Sequence, residues 1–207
     1  MTDSQDLQLA ELLCARLCHD MAGAVGAAAA GAELLEDGYD AETAQLVATS
    51  AAGAVARLKF FRAALGPAGA EQPSAAVHDL AKAYLRAAEA AGGGSLPLRW
   101  ICERLRLDGE TARLVLNMIL VARDALPRGG QISVEISAVR PDRGAGVTVG
   151  FSGLNVRLSE ELTQALTSAA PLSGPRGAQA GFTRTLAARF GATPAIEAFG
   201  DGGRMVI

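Results

Sequence analysis

Aromatic side chains are scarce in this chain: six Phe, two Tyr and one Trp among 207 residues, against a hydrophobic content of 50%. An interior built from Ala and Leu follows, and it favours close helix packing over a core of large rings. Cysteine is equally scarce. Cys14, Cys18 and Cys102 make no disulfide framework and fit a reducing compartment. Cys14 and Cys18 share a helix face at i,i+4, but no further Cys or adjacent His completes a metal site. Both read as small buried side chains, with no metal centre of the chain's own. No apolar run is long enough for a membrane: the weakly polar stretch 21–32 is too short and too rich in Ala and Gly. The opening MTDSQDLQ lacks the apolar region of a signal peptide, so a soluble, cytoplasmic protein is expected. An excess of positive charge is missing too. The formal net charge of −3 argues against a nucleic-acid surface. The charge is unevenly spread: residues 1–65 hold nine acids and four bases, the remainder 13 acids and 15 bases, which suits two parts with different surfaces.

Histidine is rarer still, with His19 and His78 the only two. His19 lies in LLCARLCHDMAGAVG, residues 12–26, a stretch of strong helix formers without Pro. On a wheel of about 100° per residue, Leu13, Leu17, Ala24, Ala28 and Leu35 form one stripe and His19 points almost the opposite way. The neighbours on the histidine's own face are small: Ala15, Ala22, Gly23 and Gly26. Glycine inside a helix costs roughly 1 kcal/mol relative to Ala, so Gly23, Gly26 and Gly31 suggest that something approaches closely. A histidine on a shaved helix face suits phosphoryl relay, in which a ring nitrogen attacks a phosphoaspartate brought by another protein. The plainer alternative is a surface histidine beside close-packed helices.

Taken in order, residues 6–36 read as one helix and 41–65 as a second, with Asp40 as N-cap and Gly66-Pro67 as the stop. Two long helices joined by a short turn make an antiparallel hairpin, which cannot bury its stripe alone. Two copies are expected to pair as a four-helix bundle, so a homodimer follows. Reflection about the turn puts His19 level with residues 57–58, next to Arg57, Lys59 and Arg62, three cations for a doubly negative phosphoryl group and an acidic receiver pocket. A basic helix end complementing the macrodipole is the other reading. Residues 66–73 form a linker. Ser74 then caps a helix to Ala91, residues 96–102 are strand-like, and Asp108 caps an apolar helix to Ala125. Strands follow at 132–139 and 147–152 around a turn at 141–146, then helices at 159–168 and 179–190, then strands at 194–198 and 204–207. The fold class is α+β: a helical hairpin over 1–68, then over 69–207 a mainly antiparallel sheet with helices on one face.

That succession resembles the ATP-binding domain of histidine kinases, and the hairpin resembles their dimerisation and phosphotransfer domain. Asn117 in LVLNMILVARDALPRGGQISVEI stands where kinases have their first ATP-box asparagine. Kinases follow the strand corresponding to 147–152 with Asp-x-Gly, whereas this chain has Phe151-Ser152-Gly153 with no carboxylate. Residues 173–181 have glycines without the usual phosphate-loop spacing, and Pro175 removes a backbone donor. A degenerate ATPase-like α/β sandwich that has lost ATP is the expectation.

LLCARLCHD followed by AGAVGA, then RLKFFRAALG and LNMILVARDALPRGG, are together similar to the ChpT-type histidine phosphotransferases of alphaproteobacteria, over nearly the whole chain. The resemblance implies a homodimer that takes a phosphoryl group on His19 from the receiver of a CckA-like hybrid kinase. It passes the group to CtrA-like and CpdR-like response regulators of the cell cycle, with Mg²⁺ supplied by the receiver. Asp20 matches the kinase-type His-acid pair and orients the ring or accepts its proton. Arg16 pairs with Asp20 or meets the phosphoryl group, while Leu9, Leu12 and Leu34 form either a docking strip or contacts within the bundle. The chain departs from those relatives in the Ala/Gly-rich run after the His-Asp pair. His78, also followed by an acid, is the rival acceptor, but it has Lys82 at i+4 instead of a small residue. An active histidine kinase with divergent ATP boxes and a non-catalytic receiver-binding dimer are the competing functions.

Overall fold

The computed structural model describes residues 3–36, 38–138, 146–169 and 174–207. Two helices open the chain, α1 (Asp3–Glu36) and α2 (Ala41–Leu65). Asp40 caps α2, its Oδ2 accepting from the Thr43 backbone N–H at 2.8 Å and from the Thr43 hydroxyl at 2.7 Å. The helices form the expected hairpin. An added Cβ at Gly31 would come within 2.7 Å of Val47 Cγ2, so glycine there allows the two backbones to close. Level with His19, the Arg57 guanidinium donates to the carbonyl of Asp20 at 3.4 Å, as reflection about the turn requires.

The rest is a five-stranded sheet with helices packed on it. After β1 (Gln72–Pro73) come α3 (Ser74–Ala88), a π-helical turn at Glu89–Gly93, β2 (Leu98–Cys102), β3 (Arg106–Leu107) and α4 (Gly109–Asp124). Then follow β4 (Gln131–Ile136), β5 (Val147–Ser152), α5 (Glu160–Thr167), α6 (Pro175–Ala188), β6 (Ala195–Phe199) and β7 (Gly202–Val206). The strand order is β2-β4-β5-β7-β6, parallel only between β2 and β4. Ile132, Val134, Ile136, Val147, Val149 and Phe151 alternate into the core, while Ser133, Thr148 and Gly150 face the more open side.

Several local expectations change. Ser74 does not cap α3: it is the first helical residue and its backbone N–H goes to the Leu105 carbonyl at 3.0 Å. Helix α6 begins a turn before Gln179, because Pro175 at the first turn has the right φ and lacks an N–H that would be unpaired there anyway. The linker is pinned, with Gln72 and Pro73 pairing antiparallel to Leu107 and Arg106. The expected turn at 141–146 lies outside the described residues except for Gly146. No helix among the described residues is long and apolar enough to cross a membrane.

One core runs from the hairpin into the sheet. Phe60, Phe61 and Ala64 of α2 belong to the same buried cluster as Tyr84 of α3, Leu116 and Leu120 of α4, and the strand residues. Phe60 stacks on Tyr84 with centroids 4.1 Å apart, which fixes α3 against the end of the hairpin. Deeper in, Asn117 is fully buried and its amide donates to the carbonyls of Ala64 and Arg113, both at 2.7 Å, while its oxygen accepts from Gln179 at 2.7 Å. A single amide thereby ties α2, α4 and α6 together.

Candidate functional site

The α1 stripe with Leu13, Leu17 and Ala24 turns inward as the wheel requires, and His19 is left 89% exposed. His19 Nδ1 lies 3.2 Å from Asp20 Oδ1. An ionised carboxylate only accepts, so this contact is a hydrogen bond when Nδ1 carries the ring hydrogen, and Nε2 is then the ring nitrogen on the side away from Asp20. Such a contact is what an orienting role for Asp20 requires.

Arg16 does something other than what its position on the helix suggests. Its side chain is only 6% exposed, and its two terminal nitrogens grip Asp124 at the end of α4, at 2.5 and 2.9 Å. Asp20 Oδ2 stands 3.7 Å from Arg16 Nε, so the expected i,i+4 contact exists but is secondary. Burial alone would lower the pKa of Arg16, but the charge and hydrogen bonds of Asp124 outweigh it and hold the guanidinium firmly charged. Arg16 is thus committed within the chain and is not the group that meets an incoming phosphoryl. It docks the histidine helix onto the sheet domain.

The other proposed docking residues divide. Ala15, Ala22, Gly23 and Gly26 are exposed beside His19, and Cβ atoms at Gly23 or Gly26 would meet nothing within 4 Å. The two glycines therefore meet no packing demand from the described residues. Leu9 is buried in the chain's own packing and Leu12 half-buried, so Leu9 is no docking surface. Leu34 is exposed. Arg57 is corrected as well: it is 8% exposed and its guanidinium donates to the Asp20 carbonyl and, at 2.9 Å, to that of Ala87. It braces α1 and α2 against α3. Lys59 and Arg62 line a separate cleft beside Pro67 and Gly109, away from the histidine. Cys14 and Cys18 are exposed on the single chain, not buried. His78 is half-buried, its ring 5.5 Å from that of Trp100 and its Nδ1 3.4 Å from Asp79.

Besides Arg16, the cations that share the histidine's cleft come from the sheet domain. A cleft of about 400 Å³ is lined by His19 and Asp20 on α1, Arg123 and Asp124 on α4, Glu161 on α5, and Arg176 in the first turn of α6. The sequence held a signal for Asp124. A carboxylate in a helix as apolar as α4 needs a buried cation, and Arg16 beside the apolar stripe of α1 needs a buried anion. Arg176 and Glu161 gave no such signal, because only the fold brings α5 and α6 to the hairpin.

A family profile described as the histidine phosphotransferase C-terminal domain matches residues 78–202. The protein phosphotransferase ChpT of Brucella abortus (strain 2308) is 36% identical over 167 residues, covering 80% of this chain and 77% of that one. The chain belongs to the histidine phosphotransferase family. A solved bacterial phosphotransferase, described at 1.7 Å, superposes with a TM-score of 0.80 at 30% identity, over 99% of this chain and 96% of its own. Of this chain's two histidines, His19 is the one that stands bare to solvent beside a carboxylate, while His78 is half-buried.

Proposed function

We propose that His19 Nε2 takes the phosphoryl group from the receiver aspartate of a hybrid histidine kinase and yields it to the receiver aspartates of response regulators. The observation that carries this reading is the 89% exposed imidazole held through Nδ1 by Asp20. The Nε2 lone pair attacks phosphorus, a P–N bond forms, and the P–O bond to the donor aspartate breaks with its electron pair leaving on the carboxylate. The positive charge gained by the ring is stabilised at Nδ1–H by Asp20. Transfer onward is the same step reversed against a second aspartate. The Mg²⁺ that the chemistry needs belongs to the receiver's acidic pocket. Gly23 and Gly26, where an added Cβ would meet none of the described residues within 4 Å, suit the close approach of that receiver.

ATP has no part in this reading, because the residues do not fit it. Asn117 has both its amide hydrogens and its oxygen engaged in the core. Phe151–Gly153 offers no carboxylate for adenine. The working form is a cytoplasmic homodimer. Leu7, Cys14, Cys18 and Val25 fall on one arc of α1, about 100–140° round from His19, and all four are exposed on the single chain, as are Val55 and Leu58 of α2. Such an apolar face on a hairpin is covered when two copies form a bundle and leave His19 outside it. CckA-like donors and CtrA-like and CpdR-like recipients are the partners this chemistry serves.

The test is label transfer from a phosphorylated receiver domain, with ATP alone as control. Acid-labile label is expected on the wild type and on His78→Ala, and none on His19→Ala. Label on His19→Ala, or autophosphorylation from ATP, overturns the assignment. Sedimentation of the wild type as a monomer at micromolar concentration overturns the dimer.

A further inference from the structure

We infer that Arg176 is the phosphoryl-binding residue of the histidine site, contributed by α6 and not by the hairpin; this rests on the phosphotransfer reading above. Of the groups lining the His19 cleft, Arg16 and Asp124 neutralise each other in a bidentate pair. Arg123 leans on the same Asp124, 3.5 Å away. Asp20 is engaged with the ring. Glu161 turns one buried carboxylate oxygen onto the first turn of α6, close enough that a Cβ at Gly177 would meet it at 2.5 Å. Arg176 is exposed at the cleft's rim and has no ion pair or hydrogen bond among the described residues. It is the lining cation with its full donor set available.

The chemistry asks for such a group. A phosphoryl group on His19 Nε2 carries negative charge on three oxygens, and Asp20 and Glu161 in the same cleft repel it. A guanidinium offers planar, paired N–H donors that match two of those oxygens, and it stays charged throughout the reaction. During transfer it holds the group in line between Nε2 and the aspartate oxygen. No bond to it is made or broken. Placing this cation on α6 gives the sheet domain a part in the site: Asn117 and Gln179 fix α6 to the base of the hairpin, and Arg16–Asp124 sets α4 beside it.

The experiment uses the full chain, with Arg176→Ala and Arg176→Lys, in two arms. One arm measures the rate of label transfer from a phosphorylated receiver domain. The other measures direct phosphorylation by phosphoramidate, a small donor that needs no protein docking. Arg176→Ala is expected to slow both arms about tenfold or more, the scale of one charge-assisted hydrogen bond, with the thermal midpoint unchanged and Arg176→Lys recovering part of the rate. The ³¹P signal of phosphohistidine gives a readout that a structural role would not move: its second ionisation is expected at higher pH in Arg176→Ala than in wild type, because the guanidinium favours the dianion. Unchanged rates in the phosphoramidate arm overturn the inference, including the case where only the receiver arm slows and Arg176 merely docks the partner. A wild type that takes no label from the receiver overturns the phosphotransfer reading instead, and the phosphoramidate arm still decides the role of Arg176.

Discussion

Asp124 illustrates how a residue far from His19 in sequence can shape its surroundings. Its carboxylate is almost wholly buried and meets the buried guanidinium of Arg16 from a helix more than a hundred residues away in sequence. Removing one partner of such a pair leaves an uncompensated charge in the interior. Asp124→Ala is expected to destabilise the protein by about 3–5 kcal/mol, whereas replacing both members with well-packed apolar residues is expected to recover most of that loss. Denaturant unfolding of Asp124→Ala and of the double variant Arg16→Met/Asp124→Leu checks both. A loss in Asp124→Ala below about 1 kcal/mol would mark an ordinary surface pair. Asp20 acts at the same scale by a different route. Asp20→Asn keeps an oxygen to accept from Nδ1–H and is expected to retain more transfer activity than Asp20→Ala, in single-turnover rates measured side by side. The exposure of His19 and the small residues around it could be read from helical spacing, and Asp20 from the resemblance to the kinase-type His-acid pair. The fates of Arg16 and Arg57 could not, because a wheel shows which face a cation occupies and not which distant carboxylate or carbonyl it finds.

At the level of elements, local chemistry was written plainly where a cap or a close contact decides it. Asp108 accepts from the Thr111 backbone at 2.8 Å and from its hydroxyl at 2.7 Å, as the sequence suggests. Partial burial would push the Asp108 carboxyl up, but the hydrogen bonds from Thr111 outweigh it and hold the group below the usual carboxylate range. A depressed carboxylate contributes stability above its unfolded pKa and loses it as the pH falls through its folded one. Asp108→Ala is thus expected to cost about 1 kcal/mol near neutral pH, with the gap to wild type closing on the acid limb. Asp108→Asn, a cap that does not titrate, is expected to keep its contribution there. Gly31 tests the hairpin. Alanine in a helix interior is favoured over glycine by about 1 kcal/mol, yet a methyl at Gly31 runs into the stiff side chain of Val47. Gly31→Ala alone is expected to lower the thermal midpoint, and Gly31→Ala/Val47→Ala to exceed Val47→Ala. The two-residue strands β1 and β3 were not legible, since neither is long enough to show a period.

For the whole molecule, the division at residues 68 and 69 read from composition meets a core that does not stop there. Phe60, Phe61 and Ala64 pack with α3 and α4, and Asn117 joins the last turn of α2 to α4 and α6. Linker composition announces a hinge, but it carries no information about the amide buried beneath it. The consequence is mechanical: α6, which carries Arg176, and α1, which carries His19, are referred to one frame. Unfolding is therefore expected to occur in a single cooperative transition, with hairpin and sheet melting together by far-ultraviolet dichroism and by Trp100 fluorescence. Asn117→Ala leaves the Gln179 amide without its partner and takes from the Ala64 and Arg113 carbonyls their side-chain donor at 2.7 Å, in a fully buried site. At about 1–3 kcal/mol for a buried group left unsatisfied, the loss is expected to exceed that of a surface cap. Because the hairpin's base loses its tie, cleavage within residues 66–73 under limited proteolysis is expected to accelerate before global unfolding does. Two separate transitions in the wild type, or a linker in Asn117→Ala no more sensitive than in wild type, would show that the hairpin and the sheet move independently, and the cleft between His19 and Arg176 would then lack a fixed geometry.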